Sequence, residues 1–364
     1  MTSAPTQAQH KNMTSIEVAA GNLLTILNHG YLTLMISIGH QARLFDTLND
    51  RPAATSEEIA QAAGLNERYV REWLGAMAVG GIVRYDPSAQ TYVLPEEHGA
   101  LLSRAAGPDN LATLAQMLPL LSTVEQQVLQ SFRAGGGVPY SEYTRFHELM
   151  AELSAATNDA ALLPVIVPLV PGFHERLTDG ISVADIGCGS GHALNLLGRE
   201  YPRSTFTGFD FAEEAISAAK REAHQMGLPN TVFIVRDVSE LGEEDRFDVV
   251  FAFDAIHDQA HPARVLNQIF TALKPGGTFV MVDIRASSRL EDNLDHPLGV
   301  MLYTVSTAHC MTVSLALGGE GLGTAWGEQK ATEMLTEAGF TDIEIKHVDQ
   351  DILNSYYLAS KPAM

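Results

Sequence analysis

The stretch "VADIGCGSGHA", residues 183–193, decides the fold of this chain. An apolar run stops at Asp185 and passes into three glycines at alternate positions, Gly187, Gly189 and Gly191. This pattern is typical of a strand followed by a ligand-binding loop and a helix, because glycine lets the backbone approach a ligand closely. The sequence therefore predicts a ligand site in the loop after a buried parallel strand.

Segments typical of strands and of helices alternate downstream of this loop, which predicts a parallel sheet covered on both faces. The late segments "DIEIKHV" and "SYYLAS" follow a helix at about 327–340 and are expected to add an antiparallel edge. The expected fold class is α/β, a Rossmann-like seven-stranded sheet preceded by an all-α and winged-helix N-terminal domain. The parallel strands are predicted at 182–186, 205–210, 232–236, 247–253 and 277–283.

The N-terminal region combines a long apolar helix with a compact pattern of helices and strands. Residues 15–48 are compatible with a helix and are apolar on more than one face, so their own domain or a second subunit must cover them. Thr55 and Glu58 have capping-box spacing, and Gly64 ends the helix that they begin. A second helix and two short strands follow by residue 95, in an order that resembles a winged helix.

Three domains are predicted along the chain. Residues 1–104 are a helical and winged-helix dimerisation domain, residues 105–176 are a helical connector that roofs the site, and residues 177–364 bind the ligand. The connector contains the apolar run 160–170, which is too short to span a bilayer of about 30 Å and is interrupted by prolines. We predict that this run is a buried helix and turn.

Charge argues against nucleic acid and membrane surfaces as partners. The 364 residues include 44 acidic and 23 basic side chains, which give a formal net charge of -21. The predicted winged helix, residues 51–103, carries four arginines against seven acidic residues. A module that reads DNA needs a basic face, so DNA binding is not expected.

The N-terminal residues and the cysteines predict a cytoplasmic protein. Residues 1–14 are polar and lack the apolar core of a signal peptide. The only two cysteines, Cys188 and Cys310, lie far apart in the sequence. We therefore expect a cytoplasmic location and no disulfide.

The glycine spacing separates two classes of ligand. Dinucleotide sites have the pattern G-x-G-x-x-G, whereas here the third glycine comes one residue early and His192 follows it. The form D-x-G-x-G-x-G resembles motif I of class I S-adenosylmethionine (SAM) methyltransferases. Free amides at the start of the next helix suit the carboxylate of such a ligand, and Asp185 suits its ammonium group.

Three later features follow in the order of that family. Asp210 ends the second strand, where an acid binds ribose hydroxyls or caps the next helix. Asp237 matches the position that bonds the adenine amino group, and "LKPGG" at 273–277 is typical of the family. The resemblance implies SAM as cofactor and S-adenosylhomocysteine (SAH) as product. The implied cofactor-binding residues are Asp185, Gly187, Cys188, Gly189, Gly191, Asp210, Phe211, Asp237, Val238 and Phe253.

The stretch after the fourth strand, "DAIHDQAHPARVLNQIF", places His257 past the carboxyl edge of the sheet. The His257-Asp258 pair resembles the His-Asp stretch of small-molecule O-methyltransferases with an N-terminal winged-helix dimerisation domain. In those enzymes the histidine deprotonates a hydroxyl, a task that suits imidazole. Gln259 stands where they usually have tryptophan, and His261 where they have an acid. The alternative is that His257 caps a helix or lines the cofactor pocket.

No metal is expected. His257 and His261 have the i, i+4 spacing of a zinc pair, but Pro262 disfavours a helix at His261 and the glutamate of H-E-x-x-H is absent. Asp254 and Asp283 follow neighbouring strands and suit a hard cation, although no third oxygen ligand is evident.

A long insertion over 285–325 is expected to cover the substrate pocket. The resemblance implies a homodimer and a small, fairly hydrophobic acceptor, with a hydroxyl as the favoured nucleophile. A thiol or nitrogen acceptor, and a SAM-responsive winged-helix transcriptional regulator, remain alternatives. His309 is a second candidate base, and core packing is the alternative for all the wall candidates. The candidate wall residues are Asp254, Tyr303, His309, Met311 and Trp326.

Overall fold

The computed structural model describes residues 14–349 and 351–363. The prediction that residues 1–14 are not a signal peptide therefore concerns residues that, apart from Thr14, lie outside this description. The chain divides into two compact units, one up to Pro119 and one over Leu120–Met364. The break falls within the stretch predicted as a connector.

The first unit contains helices and a two-stranded wing. Capping boxes begin two of its helices, through Thr14 with Glu17 and through Thr55 with Glu58. The two strands pair antiparallel, with Arg84 opposite Val93, as predicted for the wing. The elements are α1 Ser15–Gln41, α2 Leu44–Asn49, α3 Ser56–Ala63, α4 Glu67–Val79, β1 Arg84–Asp86, β2 Thr91–Val93, α5 Glu96–Leu102 and α6 Leu111–Leu114, and α7 Met117–Ser122 lies across the break between the units.

The helix predicted over 15–48 is interrupted at residues 42 and 43, between α1 and α2. Helix α1 ends at Gln41, because Arg43 adopts a left-handed backbone conformation with φ 56°. The chain then restarts as α2, whose Phe45 packs edge-on against Trp73 at 5.2 Å between ring centroids. Many large apolar side chains of α1 itself are exposed, among them Leu23 at 61%.

The second unit contains a seven-stranded sheet with helices on both faces. Short 3-10 turns and two π-helical segments, Leu162–Ile166 and Ser306–Cys310, complete it. Its regular elements are α8 Glu125–Ala134, α9 Phe146–Ala161, α10 Val167–Leu169, α11 Phe173–Asp179, β3 Ser182–Ile186, α12 His192–Glu200, β4 Thr205–Asp210, α13 Glu213–Gln225, β5 Thr231–Val235, β6 Phe247–Phe253, α14 Pro262–Ala272, β7 Leu273–Ile284, α15 Gly299–Val305, α16 Met311–Ala316, α17 Gly327–Glu337, β8 Thr341–Val348 and β9 Asp351–Ser360.

The strand order of the sheet is β5-β4-β3-β6-β7-β9-β8. Strands β3 to β7 are parallel, and β9 runs antiparallel to β7 and β8, as predicted for the late segments. The order reverses between β3 and β6, so the loops after these two strands meet at the topological switch point where open α/β sheets bind ligands. Strand β7 begins at Leu273 instead of the predicted 277, since a register shift lets Leu273 pair with Phe247.

Within the described residues, one continuous helical stretch, Phe146–Leu169, is long and apolar enough to cross a membrane by length and composition. It contains the apolar run 160–170 up to Leu169, for which the sequence predicts a buried helix and turn. Leu162, Ile166 and Val167 of this run pack into the core of the second unit. The core helices of soluble proteins pass the same test.

Candidate active site

The glycine loop after β3 is held against the end of β4 by backbone hydrogen bonds. The amides of Gly187 and Cys188 donate to the carbonyl of Phe209 at 2.8 and 3.0 Å. The amide of Gly189 donates to the Asp210 carboxylate at 2.9 Å. Gly189 has φ 51° and no heavy atom within 4 Å of a Cβ added there. The loop is therefore fixed in place while its middle residue faces open space.

Asp185 at the end of β3 is a buried carboxylate, 2% exposed. Its Oδ1 has no hydrogen-bond partner within residues 14–349 and 351–363. Burial, and then the neighbouring Asp210, raise its pKa to about 8. An unpaired buried carboxylate is costly, and a cationic group would stabilise its charged form. Together with the open face at Gly189, this arrangement fits a small ligand that carries an ammonium group.

Asp210 lies at the end of β4, one strand away. Its Oδ1 accepts from the amide of Ala212 at 2.8 Å and its Oδ2 from Gly189, so each oxygen keeps a lone pair for a ligand. The N-cap of α13 is Ala212, not Asp210. Burial raises the pKa of Asp210, although these two amide hydrogen bonds oppose the shift.

Asp237 and its neighbours line the next strand end. Asp237 Oδ1 accepts from the amide of Ser239 at 2.8 Å, and Val238 is buried beside it. Phe211, after β4, is 56% exposed. Phe253, at the end of β6, stacks on Phe251 with ring centroids 5.2 Å apart.

His257 follows β6 and is buried with Asp283 of β7. The His257 Nδ1 lies 2.8 Å from Asp283 Oδ1. The same oxygen accepts from the Trp326 indole at 3.0 Å and from the backbone amide of Ile284 at 2.8 Å. A carboxylate at Nδ1 favours the tautomer with Nδ1–H, which leaves Nε2 as the acceptor nitrogen of the ring.

Electrostatics strengthen this imidazole as a base. Burial alone would lower the pKa of His257, but the Asp283 carboxylate, together with the adjoining Cys310, outweighs burial and raises the pKa well above the ordinary value. A higher pKa brings imidazole closer to a phenol, whose pKa is about 10. It also reduces the neutral fraction at pH 7.

Four rings form an aromatic cage beside this pair, Tyr140, Tyr143, Phe146 and His309. His309 stacks on Phe146 with centroids 3.9 Å apart and an interplanar angle of 9°. The edges of Tyr140 and Tyr143 contact His309 at 5.1 and 4.8 Å. The hydroxyl of Tyr143 donates to the carbonyl of Ala308 at 2.6 Å, which ties the cage to the π-helical segment 306–310.

Two families match this chain. Residues 30–104 match the Rv2258c-like winged HTH domain, and residues 177–339 match a methyltransferase domain. The chain therefore combines a winged HTH domain with a methyltransferase domain that follows it. The predicted family and fold class are thereby confirmed, and SAM is the cofactor of this class of enzyme.

Several methyltransferases are similar to this chain. Trans-aconitate 2-methyltransferase of Rhodopseudomonas palustris is 30% identical over 130 residues, which are 36% of this chain and 46% of that protein. The chain thus spans less than half the length of this relative. Human N-acetylserotonin methyltransferase in complex with SAM superposes with a TM-score of 0.69 and 18% identity over 96% of this chain and 100% of that one. Mitomycin 7-O-methyltransferase superposes with a TM-score of 0.71 and 17% identity, over 94% of this chain and 98% of that one.

The methyltransferase domain brings only some of the predicted wall residues to His257. Trp326 reaches Asp283, and His309 forms part of the aromatic cage. Tyr303 instead lines an open groove, where its hydroxyl accepts from Asn293 at 3.0 Å. Met311 packs beside Gly323, and Asp254 is exposed with φ 49°.

Two features of the methyltransferase site escaped the sequence interpretation. The sequence pattern suggests only a cation ligand at Asp283, although its place at the end of the strand beside β6 allows it to contact His257. Tyr140 and Phe146 lie more than 100 residues before His257, and no local pattern links them to it. In residues 14–349 and 351–363, no group of three or more His, Cys, Asp or Glu side chains could hold a metal ion.

Proposed function

We propose that this methyltransferase transfers the methyl group of SAM to a hydroxyl of a small, fairly hydrophobic acceptor, with His257 as the general base. The observation that carries the proposal is the buried pair of His257 and Asp283 at 2.8 Å. His257 follows β6 and Asp283 lies at the end of β7, at the same sheet edge as the glycine loop. The carboxylate fixes the ring and its tautomer, so that Nε2 can take a proton from the acceptor.

SAM supplies a methyl group on its own leaving group, so the protein has to align the nucleophile and remove a proton. Asp185 would bind the ammonium group of SAM, Asp210 would bind the ribose hydroxyls, and Asp237 would bind the adenine amino group. Val238 is buried at the adenine end, and free backbone amides at the start of α12 would bind the carboxylate. The open space beside Gly189 supports this cofactor placement, because a ligand can approach the backbone there.

The proposal extends to a homodimer formed through α1. This helix exposes large apolar side chains that a monomeric protein would normally cover, and a second copy can bury them. The side chains concerned are Ile16, Val18, Leu23, Leu24, Ile26, Leu27, Tyr31, Leu34 and Ile38. The cytoplasmic location expected from the sequence stays a prediction.

The first test is transfer of labelled methyl from SAM into a small-molecule cell extract, with the product identified by mass. We expect a labelled O-methyl product with the wild type and a loss of about 100-fold or more with His257→Ala, since general base catalysis contributes about 10²–10⁴-fold. SAH affinity, measured by calorimetry, should stay within about twofold. His261→Ala, at an exposed neighbouring histidine, is the matched control.

Equal labelling by His257→Ala would contradict the role of His257 as base. A wild-type protein that binds neither SAM nor SAH would contradict the proposal as a whole. A product methylated on sulfur or nitrogen would contradict the hydroxyl as the acceptor group and identify a thiol or an amine in its place.

A further inference from the structure

His309 is a buried histidine that the proposed reaction does not use. It lies on the π-helical segment 306–310 and is 1% exposed. Neither ring nitrogen has a hydrogen-bond partner among the residues that the structure describes. Burial, and then the charge of His257, lower its pKa to about 3. The ring is therefore a neutral imidazole with one free donor and one free acceptor, which costs stability unless a ligand bonds to it.

The neighbours of His309 reach both the proposed base and the proposed cofactor site. The next residue, Cys310, adjoins the His257 imidazole. On the other side, Tyr140 of the aromatic cage contacts Phe211 edge-on at 5.4 Å, beside the cofactor residue Asp210. The cage thus lies between the proposed cofactor site and the proposed base, which is where an acceptor has to be held.

We propose that His309 and Phe146 select the acceptor, which is a flat aromatic ring with a second oxygen beside the reacting hydroxyl. This inference rests on the proposed function. The second oxygen bonds to His309 while the reacting hydroxyl faces His257. The aromatic walls of the cage favour a planar ring, because rings pack well in stacked and edge-on arrangements. The nitrogens of His309 are shielded from solvent, so binding of the acceptor requires the rings of Tyr140 and Tyr143, which contact His309, to move aside.

A purely structural histidine makes a different prediction. If His309 only packs the core, its replacement should lower thermal stability or leave it unchanged without affecting acceptor choice. If it is a selectivity residue, His309→Phe should keep the stack on Phe146, remove the two unpaired nitrogens and raise the Tm of the ligand-free protein. The same variant should bind the acceptor less well, as expected where a functional group is kept at a cost in stability.

The test uses the full chain saturated with SAH and three probes, catechol, phenol and cyclohexane-1,2-diol, with affinities measured by calorimetry. We expect the wild type to bind catechol about tenfold more tightly than phenol, the effect of one hydrogen bond. The non-planar diol should bind more weakly than catechol. His309→Phe should bind catechol and phenol equally, whereas the matched control His224→Phe, at an exposed position on α13, should keep the preference.

The outcomes separate this inference from the proposed function. Failure of the wild type to bind SAH contradicts the proposed function. Binding of SAH without a preference for catechol over phenol, or a preference that survives in folded His309→Phe, overturns the inference alone. If His309→Phe does not fold, His309→Gln must keep the preference through its amide, and Phe146→Leu must lose the preference for catechol over the diol; the opposite results overturn the inference.

Discussion

At the scale of single residues, one carboxylate oxygen organises the proposed chemistry. Asp283 Oδ1 accepts from three donors, the His257 ring, the Trp326 indole and the amide of Ile284. Its other oxygen, Oδ2, is buried and has no partner within residues 14–349 and 351–363. The carboxylate charge beside the imidazole, together with the adjoining Cys310, raises the pKa of His257 despite burial.

The same pair predicts a pH dependence. His257 can accept a proton only when neutral, so kcat/KM of the wild type should rise with pH through a pKa above the ordinary 6.5. Asp283→Asn removes the carboxylate, lowers the imidazole pKa and should move this rising limb to lower pH. The maximum rate should fall roughly 10²-fold, since the ring loses its preferred tautomer. Rates from pH 5.5 to 10 provide the measurement.

Trp326→Phe is the control for this experiment, because it removes one donor to Asp283 and leaves the carboxylate in place. The apparent pKa of the rising limb in its kcat/KM profile should stay above 6.5. If the rate of Asp283→Asn rises with pH over the same range as that of the wild type, the rise reflects the titration of a group other than His257.

At the scale of elements, the glycine loop and the π-helical segment 306–310 do most to shape the site. The loop needs left-handed backbone at Gly189 and Gly191, with φ 51° and 71°. The π-helical segment places two successive side chains, His309 and Cys310, in buried positions next to His257. Such single-turn π segments are frequent at functional sites.

The two glycines make a matched pair for separating folding from binding. A Cβ at Gly191 would overlap the Phe233 ring, whereas a Cβ at Gly189 meets open space. We expect Gly191→Ala to lower the free energy of unfolding by about 3 kcal/mol, from backbone strain and overpacking. Gly189→Ala should cost only about 1 kcal/mol of backbone strain but weaken SAH binding at least tenfold. Urea denaturation and calorimetry provide the two measurements; a stable Gly189→Ala with unchanged SAH affinity would refute the cofactor placement.

At the scale of the whole molecule, each unit has its own core. The methyltransferase unit buries its sheet on both faces, while the first unit leaves the apolar surface of α1 exposed. This difference supports a second copy as the partner of α1.

The homodimer is tested by the mass of the protein in solution. Light scattering after gel filtration should give twice the mass of one chain. Leu23 and Leu27 lie four residues apart, on one face of α1, and are 61% and 57% exposed. The double variant Leu23→Glu/Leu27→Glu should be monomeric, because two charges would enter the interface. Leu317→Glu, at a 74% exposed position elsewhere, should remain a dimer. A monomeric wild type would exclude this assembly.

What the sequence determined by itself was the local structure and the cofactor loop. Capping residues, left-handed glycines and apolar strand cores act through neighbours a few residues away, so their patterns predict the parallel strands closely and locate Asp185, Asp210 and Asp237 at strand ends. The break after α1 was missed, because a left-handed Arg43 has no sequence signal comparable to glycine.

Only the tertiary structure decided what surrounds His257 and His309. Asp283 and Trp326 are 26 and 69 residues from His257 in the sequence, and Phe146 comes far before it. Their meeting depends on strand order and on the path of the insertion over 285–325. Hydrogen bonds and ring contacts act over a few ångströms in space, and only the packing of the sheet, the π-helical segment and the segment 140–146 brings these side chains within that range.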